Sequence, residues 1–171
     1  MAKAVFCIAK TEEQAVRIVD QLKEEGFSSD DVSVLFPDRA GSRDFAHEQH
    51  TKAPEGAAAG AIAGGILAGA VGWLVGIGSL AIPGVGPLIA AGPIMAALSG
   101  LAAGGAVGGL TGALVGLGIP EYEAKQYEGK VKGGNILISV HAEDSKERNA
   151  AKETFERCHA DDISYTGEAR A

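Results

Sequence analysis

From Gly56 to Pro120 the chain carries no charged residue. The stretch is mostly Gly, Ala, Leu, Ile and Val, and its hydroxyls are Ser79, Ser99 and Thr111. A helix at the surface of a water-soluble monomer needs a polar face, and this block has no residues to make one. Water must therefore be kept off it by lipid or by other protein. All the charge lies in the flanks, which give the chain a formal net charge of −7 and a pI near 5.1. Nothing clusters Lys and Arg into the basic patch that a nucleic-acid binder shows, so no nucleic-acid partner is expected.

Within the block, small residues recur every fourth position. The first series is Gly56, Gly60, Gly64, Ala68, Gly72 and Gly76; the second is Gly92, Ala96, Gly100, Gly104, Gly108, Gly112 and Gly116. On a helix each series forms one face. A helical glycine costs roughly 0.5–1 kcal/mol relative to alanine. Close backbone approach between helices offsets that cost, above all in lipid, where helix formation is enforced anyway. The pattern predicts helices over Gly56–Ile82 and Ile94–Gly118, broken by "PGVGP" (83–87), with 88–93 continuing the turn. Each run is long enough for the about 20 residues of a bilayer crossing. These thirteen small residues are the expected helix-packing and oligomer interface.

The flanks read as an α/β domain. "AKAVFCIA" (2–9) is a strand, and "TEEQ" (11–14) is a capping box. Ala15, Ile18, Val19 and Leu22 then mark the buried face of a helix. "DDVSVLF" (30–36) is a second strand. The plan repeats in "NILISVHA" (135–142), in a helix over 143–160 with Asp144 as N-cap, and in "DDISYT" (161–166). "DDVS" and "DDIS" stand at the same offset as Val5 and Ile136, which suggests an internal duplication. The expected fold is α+β: a discontinuous ferredoxin-like βαβ-βαβ sandwich from 1–36 and 135–171, four strands with two helices on one face. Into it are inserted a polar linker (37–55), a glycine-zipper hydrophobic helical hairpin (56–119), and a short amphipathic helix and connector (120–134). Ala124, Tyr127 and Val131 share one face of that helix.

Little in the chain points to chemistry. His47 and His50 could share a metal on a helix, but no third ligand lies nearby, and a solvated linker is the plainer reading. His141 reads as a rim residue at a strand end. Cys7 and Cys158 make no disulfide framework; Cys158 beside His159 reads as a core thiol next to a surface histidine. "GVGPLIAAG" lacks the strand and acidic partner of a dinucleotide loop. No carboxylate falls inside the apolar run, so an ion pathway through it is not expected. No catalytic, cofactor-binding or metal residue is assigned, and no cofactor is expected.

"RDFAHEQHTKAPEGAAAG", "AIPGVGPLIAAGPIMAALSG" and "GIPEYEAKQYEGKVKGGNILISVH" resemble bacterial heat-, cold- and general-stress-induced proteins, over nearly the whole chain. The resemblance implies a stress-response context, not an activity. Some similar sequences are labelled as a membrane subunit of a quinol:electron-acceptor oxidoreductase, although this chain has no haem or iron–sulfur ligand pattern. The sequence thus predicts a non-enzymatic, self-associating stress protein. Its partners would be itself and the bilayer; no small-molecule ligand is specified. The expected site is the bacterial inner membrane, with both termini cytoplasmic because Lys and Arg flank the hairpin and are missing from its tip. The alternatives are a cytoplasmic homo-oligomer whose hairpins bury one another and an accessory subunit of the oxidoreductase complex.

Overall fold

The computed structural model describes residues 3–37, 74, 78–82, 86–92, 94 and 109–166. The protein is α+β, and its sheet is antiparallel throughout. β1 (Lys3–Ala9) leads through α1 (Glu12–Glu24) to β2 (Val32–Pro37). The uncharged block supplies β3 (Gly78–Ile82), β4 (Gly86–Ala91) and helix α2 (Gly109–Gly116). Then come α3 (Glu121–Lys132), β5 (Ile136–Ala142), α4 (Ser145–Arg157) and β6 (Asp161–Tyr165). The strand order is β3-β4-β2-β5-β1-β6.

Both flanking helices start as their sequences dictate. Thr11 Oγ1 accepts the Gln14 N–H at 3.1 Å, and Gln14 Oε1 accepts the Lys10 N–H at 2.8 Å. Asp144 Oδ1 takes the N–H groups of Lys146 and Glu147, and Glu147 Oε2 takes that of Glu143, each at 2.8 Å. These bonds satisfy donors that a helix start leaves without partners. Gln14 also donates through Nε2 to the carbonyls of Cys158 (3.0 Å) and His159 (2.7 Å), which pins the start of α1 to the end of α4.

The two flanking helices bury the same pattern of positions. α1 buries Ala15, Ile18, Val19 and Leu22; the end of the chain buries Ala151, Thr154, Phe155 and Cys158 at the same spacing. α1 and α4 cover one face of the sheet with Val5, Cys7, Val34, Ile138 and Val140. Successive strand residues point to opposite faces, so Phe6, Ile8, Leu35 and Leu137 face the other way, where they pack with α2 and α3. The amphipathic face expected for 120–132 is the one used: Ala124, Tyr127 and Val131 are buried.

The helical hairpin expectation needs correction. Residues 78–82, expected to end a helix, form strand β3, and 86–91, expected as break and turn, form β4. β4 is wedged between β2 and β3, with Pro37↔Leu88 through Val34↔Ala91 on one side and Ile82↔Gly86 through Gly78↔Ala90 on the other. Leu88, Ile89, Ala90 and Ala91 are buried. Buried backbone groups need hydrogen-bond partners, and a helix in place of β3 would leave the outer side of β4 without them. Pro87, which has no N–H, lies just past the last pairing with β2, where that loss is tolerated.

Gly92 is also not a helix-packing residue. It follows β4 with φ +85°, and a Cβ built there would lie 2.1 Å from the Val32 carbonyl oxygen and 2.9 Å from Ser33 Cα. Gly26 also has a positive φ, +93°, but nothing lies within 4 Å of its Cβ position. Gly26→Ala is therefore expected to cost only the about 1–2 kcal/mol of a left-handed backbone. Gly92→Ala should cost clearly more, because backbone must also move. Chemical denaturation of both variants checks this; equal losses would show that the close approach at Gly92 is unimportant.

Candidate functional site

Two features outside the core could carry function: the α2–α3 corner built from the end of the uncharged block, and a polar cavity on the sheet face beside it.

α2 carries no charge, and Thr111 is its one hydroxyl residue. Leu110, Ala113 and Leu114 are buried against the sheet. Gly118, with φ +94°, stops the helix, and the Ile119 N–H returns to the Leu114 carbonyl at 3.1 Å. Gly112 and Gly116, the two described members of the second small-residue series within a helix, lie on the side away from Leu110 and Leu114. Gly116 is exposed, with nothing within 4 Å of a Cβ built on it. Val115 and Leu117 beside it are 42% and 38% exposed. Gly56, Gly60, Gly64, Ala68, Gly72, Gly76, Ala96, Gly100, Gly104 and Gly108 lie outside the described residues, as do His47, His50 and the 38–55 part of the linker.

Charge enters this corner from α3. Glu128 accepts the backbone N–H of Thr111 at 2.8 Å and also bonds its hydroxyl, while Lys132 Nζ pairs with the carboxylate at 2.8 Å. A carboxylate at a helix start meets unsatisfied N–H groups and the positive end of the helix dipole. Burial by itself would raise the Glu128 carboxyl, but hydrogen bonds from Lys132 and Thr111 outweigh it and hold the group below its ordinary value. Tyr127, one residue earlier, donates to the Asp162 carbonyl at 2.7 Å and touches Ser164 Oγ, while Lys130 pairs with Asp162. α3 thus ties the uncharged helix to β6. Burial pushes the Tyr127 phenol up, so it stays neutral.

The cavity is about 160 Å³. Its polar lining is Asp31, Ser33, Ser139, His141 and Thr166; Ala4, Phe6, Ile94 and Leu117 supply the apolar walls. Sheet register brings these together: Ser139 lies between Ser33 on β2 and Phe6 on β1, and His141 lies opposite Ala4. Three bonds fix the walls. Ser33 Oγ accepts the Ile94 N–H at 3.1 Å, Thr166 Oγ1 accepts that of Ala4 at 3.0 Å, and the His141 N–H reaches the Asp31 carbonyl at 2.7 Å. The rim reading of His141 omitted its neighbours. The available signal was the polar alternation Ser139-x-His141 at one end of an apolar strand, with Ser33 doing the same in β2.

The thiols are not part of either feature. Cys7 and Cys158 are free and buried; burial raises both, most strongly Cys7. Cys158 Sγ donates to Gln21 Oε1 at 3.5 Å. A thiol held protonated is a poor nucleophile. Among the described residues no group of three His, Cys, Asp or Glu is placed to hold a metal ion.

No protein-family model, curated protein or solved structure matches this chain.

The Glu128 bonds have a pH signature. Because its folded-state value is depressed, its contribution to stability is present above the ordinary carboxylate value of 4.5 and lost as pH falls through the lowered folded value. Glu128→Gln is expected to destabilise by about 1–3 kcal/mol at neutral pH, the usual loss for a hydrogen-bonded charge. Below that window wild type and variant should converge. Urea melts of both proteins at pH 7 and pH 3 check this; a pH-independent difference would assign the loss to shape.

Proposed function

We propose that this is a non-enzymatic, self-associating protein whose uncharged block is built into protein, within the fold and between copies, and not into a bilayer. The observation that carries the reading is where the described pieces of that block lie. Leu74 packs with the α1–α4 face. β3 and β4 extend the sheet, and Ile94, Leu110, Ala113 and Leu114 pack on the opposite face. The block repeatedly returns to one sheet.

Among the described residues no helix is long and apolar enough to cross a membrane.

Self-association is supported by the contrast between the two sheet edges. β6 begins with Asp161 and Asp162, which pair with Lys10 and Lys130, and its register against β1 shifts between Phe6 and Ile8. Charge and a bulge are the devices that keep an edge from pairing with another chain. β3, the other edge, is "GSLAI", with no charge and no proline, and among the described residues it pairs only with β4. Antiparallel pairing of two such edges about a two-fold axis closes as a dimer. The outward face of α2 adds uncharged surface. The order β2-β5-β1-β6, with α1 and α4 together on one face, supports a ferredoxin-like core. The resemblance to stress-induced proteins supplies a stress-response setting.

Light scattering coupled to size exclusion in detergent-free buffer is expected to give an oligomer. Ser79→Lys, which places a charge on the β3 edge, should shift it towards monomer with the fold retained by circular dichroism. A detergent-free monomer for the wild type, or a protein that stays in the carbonate-washed membrane pellet, would overturn the reading.

A further inference from the structure

We propose that the cavity beside the C-terminal end of α2 binds a small organic molecule with an apolar body and one neutral or cationic hydrogen-bonding head. The proposal is independent of self-association.

The case starts from the sheet face itself. Along most of this face the residues are apolar and covered: Phe6, Ile8, Leu35 and Leu137 lie under α2 and α3. At one end the same face turns polar. Ser33, only 4% exposed, stands opposite Ser139, and His141 follows on the same side of β5. Ser139 and His141 are only partly buried, so their polar groups stay within reach of a molecule entering from solvent.

The hydrogen-bond accounting separates wall from site. The Ser33 and Thr166 oxygens are spent on the backbone of Ile94 and Ala4. The Ser139 hydroxyl and the His141 ring make no hydrogen bond or ion pair among the described residues, and both residues line the cavity. They offer a donor and an acceptor to a guest. Phe6, Ile94 and Leu117 give that guest an apolar surface.

Size and charge set the ligand class. A volume of about 160 Å³ is close to that of cavities of about 150 Å³ that take up benzene. Asp31 in the lining and the net charge of −7 disfavour an anion. A ring- or short-chain-sized alcohol or amine fits both limits; a carboxylate of the same shape fits only the first.

Three probes sharing one ring test this: benzyl alcohol, benzylamine and benzoate, each titrated at millimolar concentration into the full-length protein and followed by amide NMR shifts. The alcohol and the amine are expected to shift the amides of Ser33, Ser139 and His141 saturably, with benzoate at least about tenfold weaker. Ser139→Leu, which fills the cavity with apolar atoms, should weaken alcohol and amine binding at least about tenfold while leaving the melting temperature unchanged or higher. His141→Phe, a second filling variant, guards against misfolding of the first. Benzoate binding as tightly as the alcohol, no saturable shift with either neutral or cationic probe, or full binding by a folded Ser139→Leu or His141→Phe protein would overturn the proposal.

Discussion

β1 and β5 pair over their whole lengths, from Lys3↔Ala142 to Ala9↔Ile136, in the interior of the sheet. Most residues in this pair are buried, on both faces. The alternation that sends Cys7 and Ile138 to one face sends Phe6 and Leu137 to the other. A sheet apolar on both sides needs two covers. The flanking repeats provide only one, α1 and α4. The second cover has to come from the insertion, and α2 and α3 supply it. The uncharged block is thus partly the answer to a demand set by two short strands at the far ends of the chain.

The flanks were legible because their signals are local. Capping residues, apolar positions at i, i+3, i+4 and i+7, and a change to continuous apolar runs fixed α1, α4, β1, β2 and β5 within a few residues. The amphipathic helix over 120–132 was legible for the same reason. The hairpin of β3 and β4 was not. Its strand β4 is buried on both sides, so period-two alternation is lost, and the Pro and Gly of 83–87 read as a plain turn. What decides the conformation there is the need of β2 and β4 for neighbours, a tertiary constraint that no window of sequence carries.

The cavity lay between these extremes. Ser33, Ser139 and His141 each break an apolar strand, which sequence shows. That they adjoin depends on β2 pairing with β5 in a register where Ser33 meets Ser139, across an insertion of about half the chain. Thr166 and Ile94 arrive from still other segments. One member of the small-residue series misleads in the same way: Gly92 answers to a close approach against Val32 after β4, not to helix packing.

The split of the sheet between the two ends of the chain has a consequence for how the protein is made. A ribosome releases β1, α1 and β2 first, then the whole uncharged block, and only afterwards β5, the strand that sits between β1 and β2. Until residue 142 has emerged, β2, β4 and β3 have one another to pair with, but β1 has no strand beside it and the apolar block has only part of a sheet to lie on. Contacts so distant in sequence are slow to form, and transiently exposed apolar surface is prone to aggregate. Translation therefore includes a long interval in which apolar surface of this chain stays uncovered, and it closes only when β5 joins β1 to β2.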